Sequence, residues 1–229
     1  MAEKQKRPPT RVVTGKVRLS YVKFAEPEAD DNGNETYRCQ VLIPKKDKDT
    51  LQRCKVAVQQ ATLKFAKGDK AKAQKLLKHP KWHKPLRDPV AEDLEGEQYE
   101  GCVFLSAKSK DQPAMLLKNG TRVEKARDIL KHFYSGVYVN ASLSFYPFDT
   151  KGNKGVAVAI NSVIFNSEGE RLDGRVDAAD ELSEFIDEDD TSALDDADGF
   201  DDDDDIDDDD LGLDGDDADE DEDDFDLEL

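Results

Sequence analysis

The 229 residues carry 33 Lys and Arg against 53 Asp and Glu, a formal net charge of −20, but the two signs are segregated along the chain. From position 176 onward there are 31 acidic and no basic side chains, so residues 1–175 hold all 33 cations against 22 acids, a body near +11 joined to a ribbon near −31. Aspartate runs such as 201–205 and 207–210 repel themselves and offer almost no apolar surface, which excludes residues 176–229 from any core and predicts a disordered acidic tail. About 170 residues remain, enough for one well-cored domain. No apolar run approaches the roughly 20 residues that span a bilayer, so no membrane partner is expected. The N-terminal charges lack the apolar stretch of a secretory signal. Cys39, Cys54 and Cys102 are odd in number and form no Cys-x-x-Cys pair, which fits free thiols in a reducing cytoplasm.

Residues 1–10 read as a flexible basic arm. Over 11–24 the pattern alternates, with Val13, Val17, Leu19 and Tyr21 on one face and Thr14, Lys16, Arg18 and Ser20 on the other, which predicts a strand with a cationic outer face. Residues 27–34 hold an Asp-Asp-Asn-Gly-Asn turn signal. A second strand follows over 35–43, with Tyr37, Cys39, Val41 and Ile43 inward and Thr36, Arg38 and Gln40 outward, and the two strands suggest a hairpin. Leu51, Cys54, Val58 and Phe65 recur at helical spacing over 47–67, with Asp49 or Thr50 as N-cap and Gly68 as stop. A shorter basic helix over 70–78 leads into an irregular, proline-bearing stretch over 79–93 and an acidic turn over 95–101. A third strand is predicted over 102–109, with Val103, Leu105 and Ala107 inward and Phe104, Ser106 and Lys108 outward. A short strand over 114–117 and a two-turn helix over 123–131 precede the clearest strand, 136–148. There Val137, Val139, Ala141, Leu143 and Phe145 oppose Tyr138, Asn140, Ser142, Ser144 and Tyr146. A hairpin loop and a last strand over 155–165 complete the body. Five strands in hairpins with one or two helices predict a mainly β, five-stranded antiparallel barrel of the oligonucleotide-binding type (OB-fold), spanning 11–175.

The outward faces hold the candidate chemistry. Tyr138 and Tyr146 lie on a face otherwise made of Asn and Ser, and Lys16, Arg18, Arg38 and Lys108 are the cations of neighbouring strands. An aromatic ring among mobile cations suits a single nucleic-acid strand, whose bases stack at about 1–3 kcal/mol each while the cations follow its phosphates. Packing within the sheet is the competing explanation for each tyrosine and for Phe104. Trp82, between Lys81 and Lys84, either closes over a strand or anchors its loop. His79 and His83 are separated by Pro80 and lack a cysteine pair, so no metal site is expected. No phosphate-binding glycine loop, Gly-x-Ser-x-Gly elbow or His-Glu-x-x-His helix occurs, and the chain reads as a non-enzyme without cofactors. In the tail, Phe225, Leu227 and Leu229 sit in dense acidic surroundings, a pattern that suits docking to a basic-rimmed pocket of a partner protein. Tethering also places the −31 ribbon in competition with nucleic acid for the basic surface.

Four stretches together resemble a known family: Gly15-Lys-Val-Arg-Leu-Ser-Tyr-Val-Lys-Phe-Ala-Glu-Pro27, Tyr37-Arg-Cys-Gln-Val-Leu-Ile-Pro-Lys-Lys-Asp47, Phe133-Tyr-Ser-Gly-Val-Tyr-Val-Asn-Ala-Ser-Leu-Ser-Phe-Tyr-Pro-Phe148 and Gly152-Asn-Lys-Gly-Val-Ala-Val-Ala-Ile-Asn-Ser-Val-Ile-Phe165. These resemble bacteriophage and prophage single-stranded-DNA-binding proteins, first catalogued as a domain of unknown function and similar in plan to the T7 phage DNA-binding protein. The resemblance implies an OB-fold, sequence-independent binding of single-stranded DNA, and roles in replication, recombination and repair. The tail motif points to replication-protein partners such as a polymerase or helicase, the free thiols together with a phage source point to the host cytoplasm, and a homodimer stays open as an assembly state. Two other readings stay open: an acidic chaperone for basic proteins, and a DNA-processing enzyme with an unrecognised site.

Overall fold

A computed structural model describes residues 8–29, 33–94, 96–150 and 152–174. The tail residues Phe225, Leu227 and Leu229, and most of the N-terminal arm, lie outside the described residues. The strands are β1 (Arg11–Val13), β2 (Val17–Ala29), β3 (Glu35–Pro44), β4 (Trp82–His83), β5 (Cys102–Ser109), β6 (Ala114–Leu116), β7 (Arg122–Val123), β8 (Tyr138–Thr150) and β9 (Asn153–Ser167). The helices are α1 (Lys48–Phe65), α2 (Lys70–Lys78) and α3 (Ala126–His132), at the three places where helices were expected along the chain.

The five long strands are antiparallel to their neighbours in the order β5-β3-β2-β8-β9, which is the hairpin architecture predicted from the alternation. Short pieces complete the sheet. β1 pairs with β8, while β4 and β6, the latter the short strand expected over 114–117, run parallel to β9 along its other edge, a pairing that alternation does not announce. The whole is an open, mixed, nine-stranded sheet, in which β5 and β9 pack together without a ladder between them.

Its interior is built largely from residues that alternation assigned inward. Val17, Leu19, Val41, Ile43, Leu105, Ala107, Val137, Val139, Ala141, Leu143 and Phe145 are all buried, each large one contributing about 1.5–3 kcal/mol relative to exposure. α1 lays Cys54, Ala57, Val58 and Ala61 onto this core beside β1, β8 and β9. Burial raises the Cys39 thiol and pushes that of Cys54 up to about 12, so both stay neutral.

The helix lies within the expected 47–67 span, but its N-cap falls two to three residues before the expected Asp49 or Thr50. Asp47 caps α1, accepting from the Thr50 N–H at 3.0 Å, because Thr50 is buried and turns its hydroxyl to accept from the Gly15 N–H at 2.8 Å. Gly15 breaks the expected 11–24 strand into β1 and β2: a Cβ there would lie 2.5 Å from the Asp47 carboxylate. β2 then runs on through part of the expected turn to Ala29.

Tyr21, assigned to the inner face, is 60% exposed. Thr14, assigned outward, is buried, and Val13, assigned inward, is only partly so while its neighbour Val12 is buried. Ser20 is buried as well but keeps its outward register opposite Gln40. The reversal of Tyr21 comes from a bulge. β2 advances three residues from Ser20 to Lys23 while β3 advances two from Gln40 to Arg38, and Tyr21 takes φ 49° to absorb the extra residue.

A candidate nucleic-acid interface

The outer face of β2, β3 and β5 is organised in three cross-strand rows. Arg18, Leu42 and Phe104 form the first, Ser20, Gln40 and Ser106 the second, and Lys23, Arg38 and Lys108 the third. The long excursion between β3 and β5 folds back over the first row. Arg87 exchanges backbone hydrogen bonds with Phe104 at 2.9 and 3.0 Å, extending the free edge of β5. Its guanidinium stacks 4.5 Å from the Phe104 ring centroid, and Tyr99 packs at 5.7 Å. Phe104 is therefore 1% exposed, and with Leu42 and Tyr99 it forms a second small core. Alternation placed this ring outward correctly, but the cover removes it from any ligand.

Trp82 is likewise enclosed. At 4% exposure, its ring meets Phe65 edge-on at 5.0 Å, and its strand residue pairs with Lys154 of β9, so it anchors its loop to the body. His83 beside it packs edge-on against Phe148 at 5.7 Å, with Nδ1 3.1 Å from the Val156 carbonyl oxygen. Among the described residues, no three His, Cys, Asp or Glu side chains converge into a metal site.

The third row is open. Lys23 and Lys108 have no ion-pair partner among the described residues, and Arg38 between them pairs with Glu28. Neighbouring strands lie about 4.8 Å apart, so three cations stand side by side across roughly 10 Å. Tyr21 lies beside this row. A cavity of about 240 Å³ is bounded by Tyr21, Arg38, Gln40, Ser106 and Lys108. A larger one of about 810 Å³ lies against Tyr21 and Lys23, with Tyr134 and Arg171 on its far wall.

The Tyr21 phenol is held from below. Tyr99 donates to Gln40 Oε1 at 2.9 Å, and its own pKa is raised by burial first and by the adjoining Tyr21 hydroxyl second. Tyr134 is less available, because Arg171 covers its ring at 4.2 Å and its hydroxyl donates to the Gly169 carbonyl at 2.9 Å.

Lys16, Arg18 and Tyr138 do come together, where β2 pairs with β8. Lys16 Nζ lies 4.4 Å from the Tyr138 ring centroid and the Arg18 guanidinium 5.8 Å. Arg18 is partly committed to the fold, donating to the Gly136 carbonyl at 3.1 Å and the Glu170 carbonyl at 2.8 Å. Gly136 has φ +117°, and a Cβ there would collide with that Glu170 oxygen, so the crossing of these two segments needs glycine. Tyr146, 43% exposed, lies near the far end of β8, opposite Ala157 of β9.

Tyr21 and Lys23 are the residues that sequence reasoning missed. Their types were suggestive, an aromatic followed closely by a cation. The bulge that turns Tyr21 outward has no glycine or asparagine to mark it, since a tyrosine occupies the left-handed position.

Comparisons with known proteins agree with this architecture. A protein 30% identical over 179 residues, covering 76% of this chain and 94% of its own length, is "Putative protein p50" of Acyrthosiphon pisum secondary endosymbiont phage 1. The single-stranded DNA-binding protein of bacteriophage Enc34, solved in complex with single-stranded DNA, shares the fold with a TM-score of 0.63 at 18% identity. That match covers 75% of this chain and 99% of the other. A C-terminally truncated form of the Enc34 protein superposes with a TM-score of 0.61 at 20% identity, covering 71% of this chain and 89% of that one. A family model described as "Enterobacter phage Enc34, ssDNA-binding protein" matches residues 10–193, and the chain belongs to that family of phage single-stranded-DNA-binding proteins.

Proposed function

We propose that residues 11–175 bind single-stranded DNA without sequence preference, through the open outer face of β2, β3 and β5. The observation that carries this reading is Tyr21, an exposed ring beside the Lys23–Arg38–Lys108 row. A base stacks on the ring while successive phosphates meet the cations, and every base has a face to offer, so no sequence is preferred. Lys16, Arg18 and Tyr138 extend the same face toward β8, and Tyr146 supplies a further ring. The polar floor of Gln40 and Ser106 offers hydrogen bonds to sugar or base edges.

The protein acts by binding alone, in phage replication, recombination and repair within the host cytoplasm. Residues 1–10 add basic contacts. The acidic tail, 176–229, competes with DNA for the cationic row, because a tethered polyanion is present at an effective concentration near millimolar. DNA releases the tail, whose Phe225, Leu227 and Leu229 then recruit replication proteins such as a polymerase or helicase.

The test is fluorescence anisotropy of labelled oligo-dT and of a labelled duplex, with the full chain and with a chain lacking 176–229, at two salt concentrations. Tighter binding of the single strand, steeply weakened by salt, is expected, and tail removal strengthens it most at low salt. Equal affinity for the duplex refutes the stacking surface. Unchanged affinity on tail removal refutes the competition.

A further inference from the structure

Glu28 stands where a phosphate is needed. Beyond Lys23, β2 advances five residues to Glu28 while β3 advances only two, from Arg38 to Thr36. Three extra residues thus loop out of the ladder, and the register resumes with Glu28 opposite Thr36. Thr36 and Arg38 are two apart on one strand and share a face. The irregularity therefore brings Glu28 onto the face of the Lys23–Arg38–Lys108 row. Its Oε1 pairs with the Arg38 Nη2, and both side chains are close to two-fifths exposed, at 39% and 42%. The second oxygen, Oε2, is buried with no hydrogen-bond partner among the described residues. A carboxylate oxygen shielded from water without a partner is a cost that the ion pair offsets only in part. The two lysines flanking Arg38 have no such carboxylate among the described residues.

We infer that Glu28 is a built-in competitor for the DNA phosphate at Arg38, and so an affinity-setting residue of the interface. The inference rests on the DNA-binding reading above. A phosphate arriving at the central cation displaces the Glu28 carboxylate, which regains water on both oxygens. An incoming polyanion with lysine neighbours on either side replaces the single carboxylate, whereas an isolated anion does not gain those outer contacts. The pair thus keeps the central guanidinium neutralised until an extended chain of phosphates is present, which favours nucleic acid over small anions.

The experiment measures oligo-dT anisotropy with full-length Glu28→Gln, Glu28→Ala, Arg38→Ala and the Glu28→Gln/Arg38→Ala double variant, at low and high salt, with thermal melts as fold control. Glu28→Gln and Glu28→Ala are expected to bind about threefold or more tightly at low salt. Their log–log salt slope should stay close to that of the wild type, because the same Arg38–phosphate contact forms there once the carboxylate is displaced. In the Arg38→Ala background the Glu28→Gln gain should vanish, since the two residues act as a coupled pair. Weaker or unchanged binding by both Glu28 variants overturns the inference: Glu28 then positions Arg38 or is a bystander. Wild-type affinity in Arg38→Ala instead overturns the DNA surface itself, which separates the two failures.

Discussion

Phe104 and Leu42 stand on the same outer face of β5 and β3 as Lys108 and Arg38, four residues away along each strand, yet the two ends of that face serve opposite purposes. At one end the excursion between β3 and β5 returns, bonds its Arg87 backbone to Phe104 and closes a small core with Tyr99. At the other end no element returns among the described residues, and the cations and Tyr21 lie beside two cavities. The covered end supplies stability. Leaving the open end bare is possible because Tyr99 reaches across the boundary, packing on Phe104 and donating to Gln40 beneath Tyr21. An outward aromatic on a strand is therefore not by itself a ligand platform; what lies over it decides.

Exchanging the weights of the two ends is the strongest way to break this contrast. Phe104→Ala empties the covered core and should cost about 3–5 kcal/mol of stability, measured by urea or thermal unfolding. Where that variant remains folded, its affinity for oligo-dT should match that of the parent. A loss of affinity larger than the unfolded fraction explains would mean that the covered end touches DNA.

Tyr21→Ala should do the reverse. It should lose about 1–3 kcal/mol of oligo-dT binding by anisotropy, roughly 5- to 150-fold, with no drop in melting temperature. Tyr21→Gly should lose the same affinity and melt slightly higher, because φ 49° costs a tyrosine about 1 kcal/mol that glycine does not incur. Affinity retained in both variants would remove Tyr21 from the interface.

The smallest effect should come from the ends of the cation row. Lys108→Ala and Lys23→Ala should each lower the magnitude of the salt slope for oligo-dT by about 0.7, the value of one phosphate contact on a single strand, without altering the preference for single strands over duplex. An unchanged slope would show that the lysine is only a solvated charge.

Much of this could be read along the chain. The inward residues of β8, the buried side of α1 and the outward cations Lys16, Arg18, Arg38 and Lys108 all follow from spacing, because side-chain direction in a regular strand or helix depends only on position within that element. Three sites escaped. Tyr21 lies past a one-residue bulge, and a shift of one position moves a side chain to the opposite face. Phe104 points away from the main core as alternation indicated, whereas Trp82 joins that core, and segments distant in sequence enclose both: residues 87 and 99 for the first, and the end of α1 and β9 for the second. The Glu28–Arg38 pair escaped as well, since three looped-out residues set its register.

Composition and periodicity alone determined that a cationic, sheet-rich body would carry an anionic extension, and which residues would line its interior. Charge sums and period-two burial are local properties of the chain. Only the folded molecule decided which outward residues remain in contact with water, because covering a surface depends on where a remote segment returns and on backbone irregularities that leave no mark in residue type.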